Sequence, residues 1–440
     1  MPWPILTAGK DDAAIERLLD RRLLLAETDG EVRRDVAAII ADIRARGDAA
    51  LVEYAARFDG ARLAPGRLRL TEGEIREGAA GVRPELAAAI AQAAGNIRRF
   101  HERQRRADLL QADERGGILA LRFVPIKRIG VYVPGGTGGG TPLVSSVLMA
   151  VIPAQAAGVE EIAVCTPPRA DGSLAPALLS AFCQLGVTEV YRIGGAHAVA
   201  ALAFGTETVK PVDKICGPGN RYVTEAKRQV FGRVGLDMLA GPSEVAIVAD
   251  ASADPALAAA DLLAQAEHDP DAGAVLFTPA RSLALAVAAE IEAALASLSR
   301  AEIARASLAG RGGAVITRGL DEALALAERM APEHLELLVA DPWPLAGRVR
   351  SAGAVFIGAH APEALGDYAA GTNHVLPTNG TARYASGLGV DDFLRRMSVL
   401  FTTPAGFAHD GPAARLLARE EGLTAHELSL ARRLEKDNDK

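Results

Sequence analysis

Cysteine is scarce: Cys165, Cys183 and Cys216 are the only three in 440 residues, and no two share a CxxC spacing. That excludes a disulfide framework and a cysteine-built metal site, and it predicts a reducing compartment. Long apolar runs are missing as well, so neither a membrane-spanning helix nor a membrane partner is expected. The start, Met1-Pro2-Trp3-Pro4-Ile5-Leu6, has no basic segment followed by an apolar core, and a cytoplasmic protein is expected. An excess of positive charge is lacking too. Lys and Arg number 48 against 55 Asp and Glu, a net charge of −7, which argues against a nucleic-acid partner. What is present is ample core material. With 49% hydrophobic and 23% charged residues, the chain can build more than one buried core, as its length requires.

The first quarter reads as helical. Leu18, Leu19, Leu23 and Leu24 recur at helical spacing, as do Val36, Ile39, Ile40 and Ile43 before Gly47, and a third pattern runs from Leu86 to Phe100 after Pro84. Short β-branched runs follow at 129–133, 161–165, 189–193 and 214–216, separated by Ala-rich helical stretches. The alternation restarts after Pro242, with strands expected at 245–249, 274–278, 313–317, 335–339 and 354–357. Strands alternating with helices imply βαβ units and parallel sheets, here in two similar α/β modules. The tail beyond Gly387 reads as mostly helical.

Two glycine-rich loops follow predicted strands: Pro134-Gly135-Gly136-Thr137-Gly138-Gly139-Gly140-Thr141, and Gly217-Pro218-Gly219-Asn220. Each leads into a helix, whose bare amides suit a phosphate. Neither completes GxGxxG, no Walker lysine is present, and the strand ending at Cys165 lacks an acidic residue for a ribose. The loops therefore fit either an anion site or plain strand-to-helix turns. Among eight histidines, three stand in the strings Ala266-Glu267-His268, Pro332-Glu333-His334 and Ala425-His426-Glu427. Gln265 and His268 are three apart on a predicted helix and so share one face, where an amide oxygen and an imidazole can hold a metal. Asp367 lies in the turn-like string Gly366-Asp367-Tyr368. Such nitrogen and oxygen donors suit zinc, although a histidine taken singly is more often a hydrogen-bonded structural residue, and His101, His360 and His409 are read that way. Glu333 and His334 are the side-chain types suited to proton transfer near neutrality. Adjacent on a regular strand they would face opposite ways, so an irregular lead-in is required for both to serve one substrate.

Taken in order, several strings resemble the histidinol dehydrogenase family. They are Gly130-Val131-Tyr132-Val133-Pro134-Gly135-Gly136, Gly217-Pro218-Gly219-Asn220, Ala240-Gly241-Pro242-Ser243-Glu244-Val245, Gln265-Ala266-Glu267-His268, Pro332-Glu333-His334-Leu335, Gly371-Thr372-Asn373-His374-Val375-Leu376-Pro377-Thr378 and Leu423-Thr424-Ala425-His426. The resemblance implies an α/β fold of two incomplete Rossmann-like parallel-sheet domains with small helical N- and C-terminal pieces, in an intertwined homodimer. The corresponding domains would be a helical segment 1–27, a first Rossmann-like domain of 28–131 plus 244–386, a dinucleotide-side domain 132–243, and an exchanged C-terminal domain 387–440. It implies oxidation of L-histidinol through the aldehyde to L-histidine with NAD and zinc. By the same resemblance the zinc ligands fall on Gln265, His268, Asp367 and His426, the last supplied by the partner subunit. The proton-transfer pair falls on Glu333 and His334, further substrate contacts on Ser243 and Glu421, and dinucleotide contacts on Tyr132, His197 and Asn220. Two departures lie on the cofactor side: His197 stands where the family usually has glutamine, and Gly138-Gly139-Gly140 lengthen the loop after Pro134. Glu421 and the string ending at His426 favour histidinol over a relative oxidising another small alcohol such as a sulfonated diol, and the intact Glu333-His334 pair counts against a non-catalytic metal- and ligand-binding relative.

Overall fold

The computed structural model describes residues 3–20, 30–135, 140 and 142–438. Leu23, Leu24 and the Gly138-Gly139 portion of the lengthened loop lie outside the described residues. The chain divides into two compact units, residues 1–104 with 127–392, and residues 105–126 with 393–440.

The larger unit contains two all-parallel sheets. One has five strands in the spatial order Glu189–Arg192, Glu161–Thr166, Arg128–Tyr132, Lys214–Cys216 and Gly235–Leu236. The other runs Ile5–Thr7, Gly312–Ile316, Gly273–Thr278, Glu244–Ala249, His334–Leu338 and Ala354–Ile357. Counted along the chain, the first sheet is wound 3-2-1-4-5. The second repeats that winding, with the short N-terminal strand added at one edge. The same winding in both sheets matches the two similar modules read from the sequence, and each sheet reverses direction between its first and fourth strands, the doubly wound pattern.

Burial explains why these segments become strands. Every residue of Arg128–Tyr132, Glu244–Ala249, Gly273–Thr278 and His334–Leu338 is buried, as expected of parallel strands covered by helices on both faces. In the six-stranded sheet Val245 and Ile247 face one core with Leu262, Leu263 and Ile291. Ala246 and Val248 face the other with Ile15, Leu19, Leu324 and Met330. The alternation of two follows the pleat.

Several sequence expectations are corrected. The helix Gly30–Arg46 packs Val36, Ile40 and Ile43 into one core with Tyr132, Val199 and Ile215, on the five-stranded sheet rather than with 244–386. The expected cut between 131 and 132 falls within that sheet's central strand. The N-terminal piece is not wholly helical, because Ile5–Thr7 pairs in parallel with Gly312–Ile316 before the helix Asp12–Leu19 begins.

In the smaller unit the tail is mostly helical, as read, and it adds one strand that the reading lacked. Its strand Leu394–Phe401 pairs antiparallel with Ile118–Pro125, which pairs in turn with Leu109–Ala112. Two helices, Pro404–Glu420 and Thr424–Asn438, complete it. Among the described residues no helix is long and apolar enough to cross a membrane.

Candidate active site

Loops after the carboxyl ends of the five-stranded sheet and residues at the amino ends of the six-stranded sheet border one cleft of about 700 Å³ within the larger unit. Its lining includes Gly219 and Asn220 on one side and Ser243, His268, Glu333, His334 and Asp367 on the other.

The irregular lead-in that Glu333 and His334 require is present. The helix Leu320–Met330 ends at Ala331 in the left-handed region (φ 49°), and Pro332 and Glu333 precede the first paired residue, His334. Glu333 is buried and sits ahead of the paired strand, so both side chains reach the cleft. Gly353 makes this possible, since a Cβ there would lie 2.6 Å from the Glu333 carbonyl oxygen. Glu333 Oε2 accepts the backbone N–H of Glu244 at 3.2 Å and also bonds the Ser243 side chain.

His334 is surrounded by carboxyl groups. Its Nδ1 lies 3.6 Å from Glu363 Oε2 and 3.9 Å from Glu333 Oε2, and its Nε2 lies 3.7 Å from Asp367 Oδ1. The Gln265 carboxamide is 3.1 Å from Nδ1, and with its NH2 turned to Glu363 it comes within 2.9 Å of that carboxylate. Burial pushes the carboxyl of Glu333 up to about 7 and that of Glu363 up to about 8, partly offset by the neighbouring imidazole. Burial alone would lower His334, but Glu363, Glu333 and Asp367 outweigh it and raise its pKa. Asp367 is raised by burial and lowered more by His334, so it stays below the ordinary carboxylate range.

His268, Glu363 and Asp367 offer ligand atoms that all lie within 4.8 Å of one another. Glu363 and Asp367 come from one short helix, Glu363–Tyr368, four residues apart and therefore on one face. Gln265 and His268 do not share a helix as expected. The helix Pro255–Ala266 closes at Glu267, and His268 follows in a turn whose N–H bonds the Gln265 carbonyl at 3.2 Å. Gln265 is fully buried against His334 and Glu363, whereas His268 is exposed to the cleft.

Two site residues escaped the sequence reading. Glu363 gave no signal, because an acid in a helix's first turn is commonplace. His374 stands in a motif string but received no role; it lines the cleft, with Nδ1 2.9 Å from the Asp367 carbonyl oxygen. Glu421 and His426 lie in the smaller unit, both exposed.

On the glycine-loop side only Asn220 of the three expected dinucleotide contacts lines the cleft. Its Oδ1 accepts the amides of Tyr222 and Val223, both at 3.1 Å, so it caps the helix Arg221–Val230 itself. Tyr132 is buried, its hydroxyl accepting the Gly195 N–H at 3.1 Å. His197 is buried against Tyr54 and Phe58, with no hydrogen-bond partner on either ring nitrogen. The loop is anchored from beneath. Lys227 Nζ donates to the Gly217 carbonyl at 3.0 Å and to Asp237 Oδ1 at 2.5 Å, while Asp237 Oδ2 accepts the Gly217 N–H at 2.7 Å. Gly217 itself has φ 112°, and a Cβ there would fall 2.1 Å from the Tyr132 carbonyl oxygen.

The sequence model of the histidinol dehydrogenase family matches residues 25–434. The chain belongs to the histidinol dehydrogenase family. It is 50% identical over 416 residues to the histidinol dehydrogenase of Geobacillus kaustophilus, covering 94% of this chain and 97% of that one. It is 52% identical over 413 residues to that of Cereibacter sphaeroides, covering 94% of each. The crystal structure of histidinol dehydrogenase from Elizabethkingia anophelis superimposes with a TM-score of 0.92 at 36% identity, over 99% of both chains. The likeness to histidinol dehydrogenases thus extends across both units.

Proposed function

We propose that this chain oxidises L-histidinol through L-histidinaldehyde to L-histidine, with two NAD consumed in succession, as a cytoplasmic zinc-containing homodimer. The observation that carries the reading is the cleft itself. A buried His/Glu pair stands beside a His/carboxylate cluster at one wall, and a glycine loop opening a helix forms the other.

The donor set fits a borderline divalent ion. His268 and Asp367 supply nitrogen and oxygen, Gln265 an amide oxygen, and the partner subunit's His426 would complete four ligands. Zinc, when bound, supplies a Lewis-acid template for the substrate and a positive charge that draws the His334 pKa back down. Asn220 would hold NAD from the cleft wall, with Tyr132 and His197 buried off the cleft, and the dinucleotide would supply the hydride acceptor.

The protein's own groups then do the following. Neutral His334 takes the hydroxyl proton as the carbinol carbon gives up its hydride, and the carbonyl forms. Glu333, ionised, takes a proton from water as that water adds to the aldehyde carbon. His334 returns its proton to the aldehyde oxygen. The hydrate then loses its hydride to the second NAD and one hydroxyl proton back to His334, while the acid so formed releases its remaining proton to solvent as the carboxylate. Ser243 and Asp367, with Glu421 of the partner subunit, hold and orient the amino alcohol. Proximity of all these groups in one cleft keeps the reactive aldehyde from bulk water.

His334→Ala tests the assignment. Loss of a general base costs roughly 10²–10⁴-fold in rate, so kcat is expected to fall by that factor while the KM for histidinol changes far less. An unchanged kcat would refute the role of His334.

A further inference from the structure

The turn Thr378-Asn379-Gly380 forms part of the cleft wall, and its central residue is anomalous on two counts. Asn379 occupies the left-handed region at φ 54°, one of only two non-glycine residues to do so among the described residues. Its side chain is fully buried, and neither Oδ1 nor Nδ2 has a hydrogen-bond partner. A buried carboxamide with both ends unpaired is costly and is retained where something else completes it. Its neighbours are satisfied: Thr378 Oγ1 accepts the Gly241 N–H at 2.8 Å, and the Gly380 N–H reaches Glu244 Oε1 at 3.4 Å. Of this turn's polar side chains the carboxamide alone is left over. His334 Nε2 is likewise buried on the cleft wall without a hydrogen bond, although Asp367 Oδ1 stands 3.7 Å from it.

Its surroundings narrow the ligand. A Cβ on Gly241 would lie 1.8 Å from Asn379 Nδ2, so the carboxamide fills the space that any side chain at Gly241 would take. The 240–244 stretch links the two walls of the cleft. Ala240 accepts from Thr224 Oγ1 at 3.0 Å, on the helix that follows the glycine loop, and Glu244 donates its N–H to Glu333. Asn379 therefore borders the ground between the dinucleotide loop and the acid–base pair. On the NAD reading, a hydride-accepting ring set between the loop and the pair would come beside this turn. The group best matched to a carboxamide with a free carbonyl and a free NH2 is a second planar carboxamide, which meets it with a donor and an acceptor at once.

We infer that Asn379 is a cofactor-binding residue whose side chain pairs with the carboxamide of the nicotinamide ring and so fixes which face of the ring meets the substrate. This rests on the NAD reading above.

Asn379→Gly tests it in the zinc-loaded full-length protein, since glycine adopts φ 54° freely and the fold is expected to hold, with thermal stability equal or higher. KM values, and dissociation constants by equilibrium dialysis without histidinol, are compared in wild type and variant for NAD and for its 3-acetylpyridine analogue, which keeps the carbonyl but lacks the amide NH2. Loss of two neutral hydrogen bonds should raise the KM for NAD about 10-fold in the variant. The KM for histidinol should be unmoved, and the analogue, which keeps only the carbonyl acceptor, should lose one of the two bonds and rise about 3-fold. An unchanged KM for NAD would overturn the inference. So would equal losses with both dinucleotides, which would mark an effect on the fold or on an internal water. If wild-type protein makes no NADH from histidinol, the proposed function fails and this inference with it; if it does, the comparison judges Asn379 alone.

Discussion

Glu363 and Asp367 stand one helical turn apart and flank a single imidazole from its two edges, with Glu363 Oε2 3.6 Å from His334 Nδ1 and Asp367 Oδ1 3.7 Å from His334 Nε2. One short helix thus fixes the orientation of the base and supplies an oxygen to the cluster with His268. The arrangement favours the imidazolium, so a cation at the cluster is what would restore a neutral, proton-accepting ring.

Glu333 predicts a pH dependence. Burial raises its carboxyl to about 7, and the ionised form is the one that activates water. As pH falls through about 7 the carboxylate takes up a proton, and oxidation of the aldehyde should decline. The acid limb for L-histidinaldehyde oxidation should therefore lie well above the ordinary carboxylate range. Rates of NADH formation from the aldehyde between pH 5 and pH 9 would show it, and Glu333→Gln should remove aldehyde oxidation across the whole range.

Metal retention separates the roles of the cluster residues. His268→Asn and Asp367→Asn each delete a donor and should leave little zinc bound after dialysis. Glu363→Gln changes the group behind Gln265 and His334, and it should weaken zinc binding by roughly 10–100-fold, as loss of a ligand-orienting partner does. Zinc stoichiometry by atomic absorption, with activity before and after chelation, reads this out. Full activity of the zinc-free protein would contradict the template role.

The glycine loop depends on a buried ion pair. The side chains of Lys227 and Asp237 are 2% and 0% exposed and hold both the N–H and the carbonyl of Gly217. Lys227→Met leaves a buried carboxylate without its counter-ion, which should cost about 3–5 kcal/mol in urea unfolding. Asp237→Asn, which still accepts from Gly217 but strands the ammonium, should be similarly destabilising. A change below about 0.5 kcal/mol in both, the range of ordinary surface substitutions, would show the pair to be dispensable.

Much of this was legible in the chain because parallel strands are buried on both faces and announce themselves as continuous apolar runs. Nine expected strands coincide with observed ones to within a residue at each end. Local reading failed where pairing is distant. Ile5–Thr7 is a strand only because it docks beside Gly312–Ile316, and Leu394–Phe401, interrupted by Arg395 and Arg396, only because Ile118–Pro125 pairs with it. The same holds for the site. Glu333, His334 and His268 stand in recognisable strings, whereas Glu363 becomes functional only through its approach to His334, and the carboxamide of Asn379 only through the missing side chain of Gly241.

The most direct measurement is NADH formation from L-histidinol and NAD by the purified, zinc-loaded protein, followed to completion by absorbance. Two NADH per histidinol, abolished by chelation and restored by zinc, is the predicted result. Absence of NADH, or turnover that His334→Ala leaves intact, would contradict the account.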